Sequence, residues 1–270
     1  RGVDTHGIFY NPKRNYIPRL SNGEINPNPK EEVVNETAAT ALIDGDHGLG
    51  HPAAYKGMNV AIRKAKEVGV GLVSIRNSSH LGMLAYYPSM AVEQGMIGMI
   101  MTAGGGRIVL PLHGAESMMS TNPLSIGAPA RRHPSFLLDM ATSVAAGGKL
   151  EVADFLKVAI PEGWALDKNL KPTTDSNVGW ETRKLLPLGG SRELGGHKGF
   201  GLALAVDILC GVLSGNGYTP IVPDGSMSHF ILAVDIAAMR PLEDFKGEMD
   251  DMIDAFHTSP KAPGHDRIYI

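Results

Sequence analysis

The sequence predicts an α/β layered fold. From residue 53 to residue 102, a helical pattern, an apolar strand, a second helical pattern and a second apolar strand follow one another, and this alternation is typical of a sheet covered by helices. The chain has 270 residues, of which 43% are hydrophobic, so it can bury a large core as one large domain or two smaller ones. No G-x-G-x-x-G motif follows the first strand, so a standard Rossmann domain is not expected.

The elements of the first half rest on periodicity and on turn residues. Apolar side chains recur at helical spacing from Ala54 to Ala65, and Gly69 then supplies a C-terminal stop. Short apolar runs on either side of a second helical pattern predict strands. In chain order we expect a strand at 37–43, a helix at 53–68, a strand at 70–76, a helix at 84–94 and a strand at 96–102.

The second half predicts further strands at 124–127, 136–139 and 230–235, and an acidic amphipathic helix at 244–255. Residues 199–214 form a long apolar helix, which we expect to be buried on most sides. This helix contains Cys210, the single cysteine, and we expect a core thiol there because free cysteine is often buried. One cysteine excludes an intrachain disulfide and fits a reducing compartment, which favours a cytoplasmic protein.

Composition and charge argue against several classes of partner. The formal net charge is -3, from 25 basic and 28 acidic residues, so no basic excess attracts nucleic acid. No apolar run reaches the ~18–20 residues that a membrane span needs, and no secretory signal is visible. The chain starts at Arg1 without an initiator methionine and stops at Ile270, and we expect that residues are missing from both ends.

A histidine that follows a buried strand is the most informative candidate for chemistry. His80 lies in the stretch 76–82, RNSSHLG, after the predicted strand at 70–76. A loop that leaves a buried strand can expose a side chain and hold it rigidly, and imidazole titrates near neutral pH, which suits proton transfer. The alternative is a histidine that only caps a helix beginning near Met83, and the sequence leaves both interpretations open.

A second histidine, His6, lies between Thr5 and Gly7 near the N-terminus. Its small neighbours allow a ligand to approach closely, although an ordinary turn histidine explains the pattern equally well. Arginine anchors carboxylates by bidentate hydrogen bonds, and three basic residues follow His6, namely Lys13, Arg14 and Arg19. A solvated basic face would give the same cluster, so this second alternative also stays open.

Two further patterns concern metals and phosphates. His47 and His51 have the spacing of a zinc protease pair, but no glutamate follows His47 and two glycines interrupt a helix there, so no metal is expected. Glycine-rich turns at 104–106 and 195–199 could approach a nucleotide. The second turn opens the long apolar helix and contains Lys198, and a lysine at a helix N-terminus suits a phosphate.

Seven segments, taken together and in order, resemble the malate/L-lactate/L-sulfolactate dehydrogenases of the second, non-Rossmann type. Ureidoglycolate dehydrogenase and 2,3-diketogulonate reductase are relatives within this family. The resemblance spans about four fifths of the chain, and its segments are RGVDTHG at 1–7, NSSHLG at 77–82, STNP at 120–123, LDMATS at 138–143, IPEGWA at 160–165, KPTTD at 171–175 and GHKGFGL at 196–202.

The resemblance implies a non-Rossmann layered fold with a mixed sheet, as in L-sulfolactate dehydrogenase-like proteins. It implies one catalytic unit over 1–270, with a cofactor-binding subdomain at about 70–200, and a homodimer. The implied activity is hydride transfer between NAD or NADP and a small 2-hydroxy/2-oxo acid, with malate and oxaloacetate expected first. Lactate, sulfolactate, ureidoglycolate, diketogulonate or a cyclic imine are alternative substrates, and a non-catalytic ligand-binding protein is the alternative from another class.

The resemblance also assigns site residues. His80 matches the proposed proton donor and acceptor, and His6 matches a second active-site histidine that contacts the substrate oxygen, although the reverse assignment stays open. The family has an arginine four residues after this histidine, but here that place is Tyr10, so Arg14 is a candidate substitute at the substrate. Thr121 and Asn122 are expected to line the same cleft. The cofactor candidates are Asp139, Met140, Ala141, Thr142, Ser143 and Lys198, with His197, Thr102 and Lys149 in addition.

Overall fold

The protein folds around one seven-stranded mixed sheet in the computed structural model, which describes residues 11–270 and all of their side chains except that of Arg14. The helices are α1 (Ile17–Ser21), α2 (Gly50–Val68), α3 (Tyr86–Val92), α4 (Gly147–Leu156), α5 (Ser176–Thr182), α6 (Gly196–Asp207) and α7 (Leu242–Thr258). The strands of the sheet are β1 (Glu32–Glu36), β2 (Thr40–Asp44), β3 (Val70–Ser78), β4 (Met96–Gly104), β5 (Leu124–Ala128), β6 (Phe136–Met140) and β9 (Met227–Asp235). Two short strands, β7 (Ala165–Leu166) and β8 (Pro172–Thr173), pair separately.

The last strand of the chain lies in the middle of the sheet, whose order is β1-β2-β3-β9-β4-β5-β6. β2 and β3 run parallel, and the other neighbours are antiparallel. Ser78 of β3 and Gly104 of β4 both pair with Met227, the first residue of β9. The carboxyl ends of β3 and β4 therefore meet at one edge of the sheet. The predicted α/β fold with a mixed sheet is confirmed.

Helix α2 packs closely on the central strands. Its small and apolar side chains, among them Ala54, Met58 and Ala61, are fully buried in one cluster with sheet residues such as Ile75 and Ile231. A Cβ atom at Gly71 would lie 2.0 Å from the carbonyl oxygen of Ala61. A glycine in β3 is thus what lets the helix approach the sheet this closely, and α2 fixes the strand that leads into the candidate site.

The predicted strand at 37–43 was incomplete, because the structure has a hairpin of β1 and β2 in this region. All five residues of β1 are exposed, so this edge strand has no alternation of buried and exposed positions to indicate it. The predicted helix at 84–94 is shorter, and α4, α5 and the β7–β8 pair were not predicted. The other predicted strands and helices are present, with ends that differ by a few residues.

The expectation that the helix at 199–214 is buried on most sides was wrong. The segment consists of α6 followed by a π-helical turn at Ile208–Val212. Leu204, Ile208 and Val212 lie on one face and are 41%, 56% and 54% exposed. An apolar sequence predicts that a helix is shielded from water, but it does not predict whether residues of the same chain pack against it. Cys210, on the other side, is buried as expected.

A second core lies beneath the segment between β4 and α6. It packs Val109, Leu150, Ile160 and Leu185 together with neighbouring apolar side chains. Within residues 11–270, no helix has both the length and the apolar character that crossing a bilayer requires. The cytoplasmic location and the subdomain at about 70–200 stay predictions.

Candidate active site

The end of β3 carries His80 to the edge of the sheet. The pairing with β9 is irregular between Ile75 and Ser78, and Asn77 has a left-handed φ of 50°. The side chain of Asn77 donates to both carboxylate oxygens of Asp44, at 3.1 and 2.9 Å. Its backbone N–H donates to Oδ1 of Asn216 at 2.9 Å. These bonds stabilise an uncommon backbone conformation at Asn77. They therefore fix the position from which the chain continues to His80.

The Nδ1 atom of His80 is a hydrogen-bond acceptor. The hydroxyl of Tyr16 lies 2.6 Å from Nδ1, and the backbone N–H of Gly82 donates to the same atom at 3.2 Å. The Gly82 N–H favours the neutral tautomer with its hydrogen on Nε2, whereas the Tyr16 hydroxyl suits either tautomer, since it can donate to Nδ1 or accept from an Nδ1–H. The first helix after His80 begins only at Tyr86. The interpretation of His80 as a cap of a helix near Met83 is therefore wrong.

The rings of Tyr16 and His51 lie beside His80. Tyr16 ends the π-helical turn Pro12–Tyr16, and its ring meets the ring of His51 edge-on, with centroids 5.3 Å apart. Burial raises the pKa of Tyr16 above its ordinary value, so its hydroxyl stays protonated. Burial lowers the pKa of His51, which favours its neutral form. The corner thus presents uncharged hydrogen-bonding groups around His80.

Glycine is required at position 82 for this arrangement. Its φ is 76°, in the left-handed region, and an added Cβ atom would lie 2.8 Å from Nε2 of His51. A side chain would therefore be strained and would also push against the His51 ring. The glycine after the predicted catalytic histidine has a physical role: it brings a backbone N–H to Nδ1.

Asp139 joins the predicted cofactor segment to the loop that follows His80. It lies on β6, and its Oδ2 accepts the backbone N–H of Ala85 at 2.8 Å. A predicted cofactor residue and the predicted proton-transfer residue are thus connected through five residues of chain. The neighbouring candidates Met140 and Ala141 are half-buried.

The Thr142 hydroxyl ties the two predicted cleft segments together. It donates to the carbonyl oxygens of Thr121 and Asn122, at 3.0 Å each, and the Thr142 backbone N–H donates to the Thr121 carbonyl oxygen as well. Ser143 donates its hydroxyl to the carbonyl oxygen of Ala145. Thr121, Asn122 and Thr142 therefore lie together, and the threonine and serine hydroxyls are bound to the protein's own backbone.

The N-terminus of α6 is joined to the same segment. The backbone N–H of Leu188 donates to the carbonyl oxygen of Thr142, and a Cβ atom at Gly199 in the first turn of α6 would lie 2.1 Å from the Leu188 carbonyl oxygen. The side chain of Asn122 donates to the carbonyl oxygen of Ala203 at 2.9 Å. The two predicted cofactor-contacting segments are thus parts of one packed unit.

The residues at this helix end fit a dinucleotide. Gly195, the N-cap, has a left-handed φ of 94°, and Lys198 in the first turn is exposed. A helix N-terminus and a lysine together favour the negative charge of a diphosphate. The Oδ1 atom of Asn122 is buried and has no hydrogen-bond partner among the described residues, so this segment retains an acceptor that a ligand or water can use.

The remaining candidates are placed differently. Thr102 is buried within the sheet, where its hydroxyl contacts His229 and the Ser228 carbonyl oxygen. The Lys149 ammonium group lies 5.9 Å from the centroid of the Trp164 ring. His197 is exposed, and its Nδ1 is 2.6 Å from a guanidinium nitrogen of Arg192. Cofactor contacts by these three residues stay predictions.

Three predicted substrate-side residues are not among the described side chains. His6 and Tyr10 lie outside the described residues, and the Arg14 side chain is not described. Arg19, from the same basic cluster, is occupied: its guanidinium binds Glu24 and the carbonyl oxygens of Asp224 and Gly225. Within residues 11–270, no group of three or more metal-ligating side chains converges.

Sequence reasoning missed three residues of this corner. Tyr16 belongs to no motif, and its contact with His80 joins residues that are 64 positions apart. His51 was weighed only as a metal ligand, and His229 lies inside a strand that was predicted to be purely structural. The one available signal was a polar residue, His229, next to the apolar run at 230–235.

Comparison with known proteins shows the family of this chain and several of its relatives. The family model for malate/L-lactate dehydrogenase matches residues 1–270. The chain is 43% identical over 276 residues to malate dehydrogenase from Pyrococcus abyssi, covering 100% of this chain and 75% of that protein. It is 38% identical over 270 residues to L-sulfolactate dehydrogenase from Methanocaldococcus jannaschii, covering 98% and 75%. A crystal structure of malate dehydrogenase from Entamoeba histolytica matches with a TM-score of 0.95 at 36% identity, covering 100% and 78%.

Proposed function

The chain belongs to the malate/L-lactate dehydrogenase family, and from that premise we propose that it interconverts malate and oxaloacetate with NAD or NADP. The observation that carries the proposal is the hydrogen bond between the Tyr16 hydroxyl and Nδ1 of His80. It fixes the imidazole ring and makes Nε2 the nitrogen that exchanges a proton with the substrate. The name of the 43% identical relative supports malate as the first substrate to test.

His80 manages the proton of the reaction. The bound nicotinamide ring supplies or accepts the hydride. When the 2-oxo group is reduced, its oxygen gains negative charge and takes the Nε2 proton of the imidazolium, which leaves a neutral ring with its hydrogen on Nδ1. In the reverse direction, Nε2 of that tautomer accepts the hydroxyl proton. The Tyr16 oxygen accepts from the Nδ1–H in both of these states, and its hydroxyl donates to Nδ1 when the hydrogen lies on Nε2 instead. One neighbour therefore serves both protonation states.

The cofactor is proposed to lie along Asp139 to Ser143 and at the N-terminus of α6. Support comes from the packed unit that these segments form with Thr142 at its centre. The dipole of α6 and the exposed Lys198 would offset the diphosphate charge. Because Thr142 and Ser143 donate to the protein backbone, they would act by shaping the segment and not by binding the cofactor through their hydroxyls.

The substrate carboxylates are proposed to be bound by groups near the N-terminus. His6 would contact the substrate oxygen that His80 protonates, and Arg14 would replace the arginine whose place is taken by Tyr10. Thr121 and Asn122 complete this proposed cleft, since Thr142 holds their backbone next to the cofactor segment. Arg19 is not included, because its guanidinium is bound to Glu24 and to two backbone carbonyls.

An absorbance assay at the wavelength of reduced nicotinamide tests the proposal. Purified protein is mixed with NADH or NADPH and, in turn, oxaloacetate, pyruvate, sulfopyruvate and oxoglutarate. Oxidation with oxaloacetate supports malate dehydrogenase activity and identifies the cofactor. Preference for sulfopyruvate would move the substrate toward that of the 38% identical relative. No oxidation with any acid or with a cyclic imine would overturn the proposal in favour of a binding protein.

A homodimer is proposed as the working form, with the exposed face of α6 and of the π-helical turn that follows it as its interface. Leu204, Ile208 and Val212 recur every four residues on this face, and a groove of about 410 Å³ beside them also contains Met118 and Tyr218. Exposed apolar surface of this kind is typical of a protein–protein interface. A second copy is the occupant that the family resemblance implies.

Sedimentation velocity on an Ile208→Glu variant tests this interface. A charge at the centre of the face should convert the dimer into a monomer, because a carboxylate would be buried without a partner. Met239→Glu is the matched control, since Met239 is 78% exposed and does not line this groove. A monomeric wild-type protein would contradict the dimer, and a dimeric Ile208→Glu variant would place the interface elsewhere.

A further inference from the structure

A fully buried histidine bridges the three central strands of the sheet. His229, on β9, has no solvent exposure. Its Nδ1 lies 2.8 Å from the Thr102 hydroxyl on β4, and its Nε2 lies 2.9 Å from the Ser78 hydroxyl at the end of β3. Burying an imidazole costs free energy unless both of its nitrogens find partners. Here each nitrogen has one, on opposite neighbouring strands.

The two hydrogen-bond partners of His229 differ in their position relative to the regular strand pairing. Thr102 is the direct register partner of His229 in the β4–β9 ladder, so this contact lies within regular sheet. On β3 the register partner is Ile75, but the ring reaches Ser78, three residues further on, past the irregularity in the pairing. The second contact therefore holds the strand end that carries His80, beyond the regular ladder.

The protonation state of His229 suits this bridge. Burial lowers the pKa of His229 to about 3, so the ring is neutral at ordinary pH and has one donor and one acceptor. The Thr102 hydroxyl donates to the carbonyl oxygen of Ser228, so Nδ1 of His229 donates to Thr102. Its Nε2 then accepts from the Ser78 hydroxyl, and a hydrogen bond with the backbone of Ser79 also acts on the ring.

Ser78 provides a second side-chain anchor of the turn, after Asn77. The hydroxyl of its neighbour Ser79 is buried and makes no hydrogen bond with a described residue. The backbone of the same turn packs against α2, where a Cβ atom at Gly50 would lie 2.1 Å from the Ser79 carbonyl oxygen. The turn is thus confined from the helix side by contact and from the sheet side by the bond between His229 and Ser78.

We propose that His229 is a positioning residue for the reaction: through Ser78 it fixes the turn from which His80 reaches the substrate. The inference rests on the proposed function of His80 in proton transfer. His229 does not itself touch the substrate, because it is enclosed in the sheet. Its contribution is the location of a proton donor, and small misplacements of reacting groups are costly for rate.

Two amide variants separate the two halves of the bridge. The side-chain amide of Asn in His229→Asn lies as far from the backbone as Nδ1, so it retains the contact with Thr102 and loses Ser78. The longer Gln in His229→Gln reaches the position of Nε2 and retains Ser78. Both variants bury an amide in place of an imidazole, so each is the control for the other, and thermal unfolding verifies that both fold.

The positioning role predicts unequal variants. His229→Asn and Ser78→Ala should each lower kcat about 10- to 100-fold with cofactor KM within about twofold, whereas His229→Gln should stay within about threefold of wild type. The pH profile of kcat should shift in the first two variants only. Equal kcat values and pH profiles for the Asn and Gln variants would overturn the proposal and leave His229 with a purely structural role.

A measurement without turnover separates this proposal from the proposed function. The titration of His80 is followed by NMR of the imidazole resonances, assigned with His80→Gln. Its midpoint should move by about 0.3 to 0.5 pH units in His229→Asn and not in His229→Gln, because the hydrogen bonds around the ring change. An inactive wild-type protein with this pattern would reject the proposed activity alone, whereas an unchanged midpoint in both variants would reject the positioning role alone.

Discussion

The two parts of the candidate site use their side chains in opposite ways. Around His80, side chains contact side chains: the Tyr16 hydroxyl lies at Nδ1 and the rings of Tyr16 and His51 meet edge-on. In the predicted cofactor segment, the hydroxyls of Thr142 and Ser143 are bound to backbone carbonyls. Around His80, side-chain groups are available to a ligand. In the cofactor segment, the side chains instead fix the conformation of the backbone. Substitutions should therefore reduce the chemical rate in the first part and stability or cofactor affinity in the second.

The largest effect is expected from His80→Gln. Removing the proton donor should lower kcat about 100- to 10,000-fold, while the dissociation constant of the cofactor, measured by fluorescence titration, stays within about twofold of wild type. His47→Asn is the control, because His47 is exposed and lies outside the proposed contacts. A loss of cofactor affinity in His80→Gln as large as its loss of kcat would contradict the distinction between the two parts of the site.

Tyr16→Phe should give the next largest effect. The change removes the hydroxyl at Nδ1 of His80 but keeps the ring that packs against His51. We expect kcat to fall about 10- to 100-fold, since the imidazole loses the neighbour that serves both of its protonation states. Tyr86→Phe is the matched control, because Tyr86 is half exposed. Equal kcat values for the two variants would show that the Tyr16 hydroxyl does not contribute to the reaction and that the residue serves only in packing.

Thr142→Val should affect stability and cofactor binding more than chemistry. The isosteric change removes two hydrogen bonds to the carbonyl oxygens of Thr121 and Asn122, which should cost about 1–3 kcal/mol of unfolding free energy. Urea unfolding and isothermal titration with the cofactor measure the two effects. Thr258→Val on the surface of α7 is the control. A kcat loss at saturating cofactor as large as that of Tyr16→Phe would contradict the comparison.

The smallest expected effect is the pH dependence of stability due to His229. Its pKa is about 3 in the folded protein and about 6.5 when unfolded. Below pH 6.5 the unfolded state therefore binds more protons, so stability falls as the pH decreases, by about 1.4 kcal/mol at pH 5.5. His229→Gln should remove this contribution in urea unfolding at pH 7.5 and 5.5.

His51 must be included when that result is interpreted. It is the titratable group whose charge acts on His229, and burial lowers its own pKa, so it adds a slope of the same sign. Ser78 and Thr102, the direct partners, do not titrate in this range. An unchanged pH dependence in His229→Gln would show that His229 is accessible to protons in the folded protein.

The sequence predicted those parts of the fold that depend on burial. β3, β4 and β9 are apolar and central, so they were recognised, whereas β1 lies at an exposed edge and has no periodic signal. The burial of the segment 199–214 was misjudged because Leu204, Ile208 and Val212 are apolar and yet exposed among the described residues. An apolar pattern predicts burial, but it does not identify the surface that packs against the apolar residues.

The candidate site was predicted where one residue in a local context is sufficient. His80 follows a buried strand and precedes a glycine, and both features are local. Tyr16 and His229 were missed because their roles come from partners 64 and 151 positions away. His47 and His51 do not share a helix, since α2 begins only at Gly50 and His47 lies outside it.

The central position of β9 has a consequence for biosynthesis. During translation β3 and β4 emerge early, but each lacks one of its two neighbours until residues 227–235 have left the ribosome. The contact between Ser78 and His229 closes a loop of 151 positions, and such long-range strand pairing slows folding. Nascent chains should therefore expose two unpaired apolar strand edges for most of their synthesis, and dependence on chaperones should end only when β9 inserts.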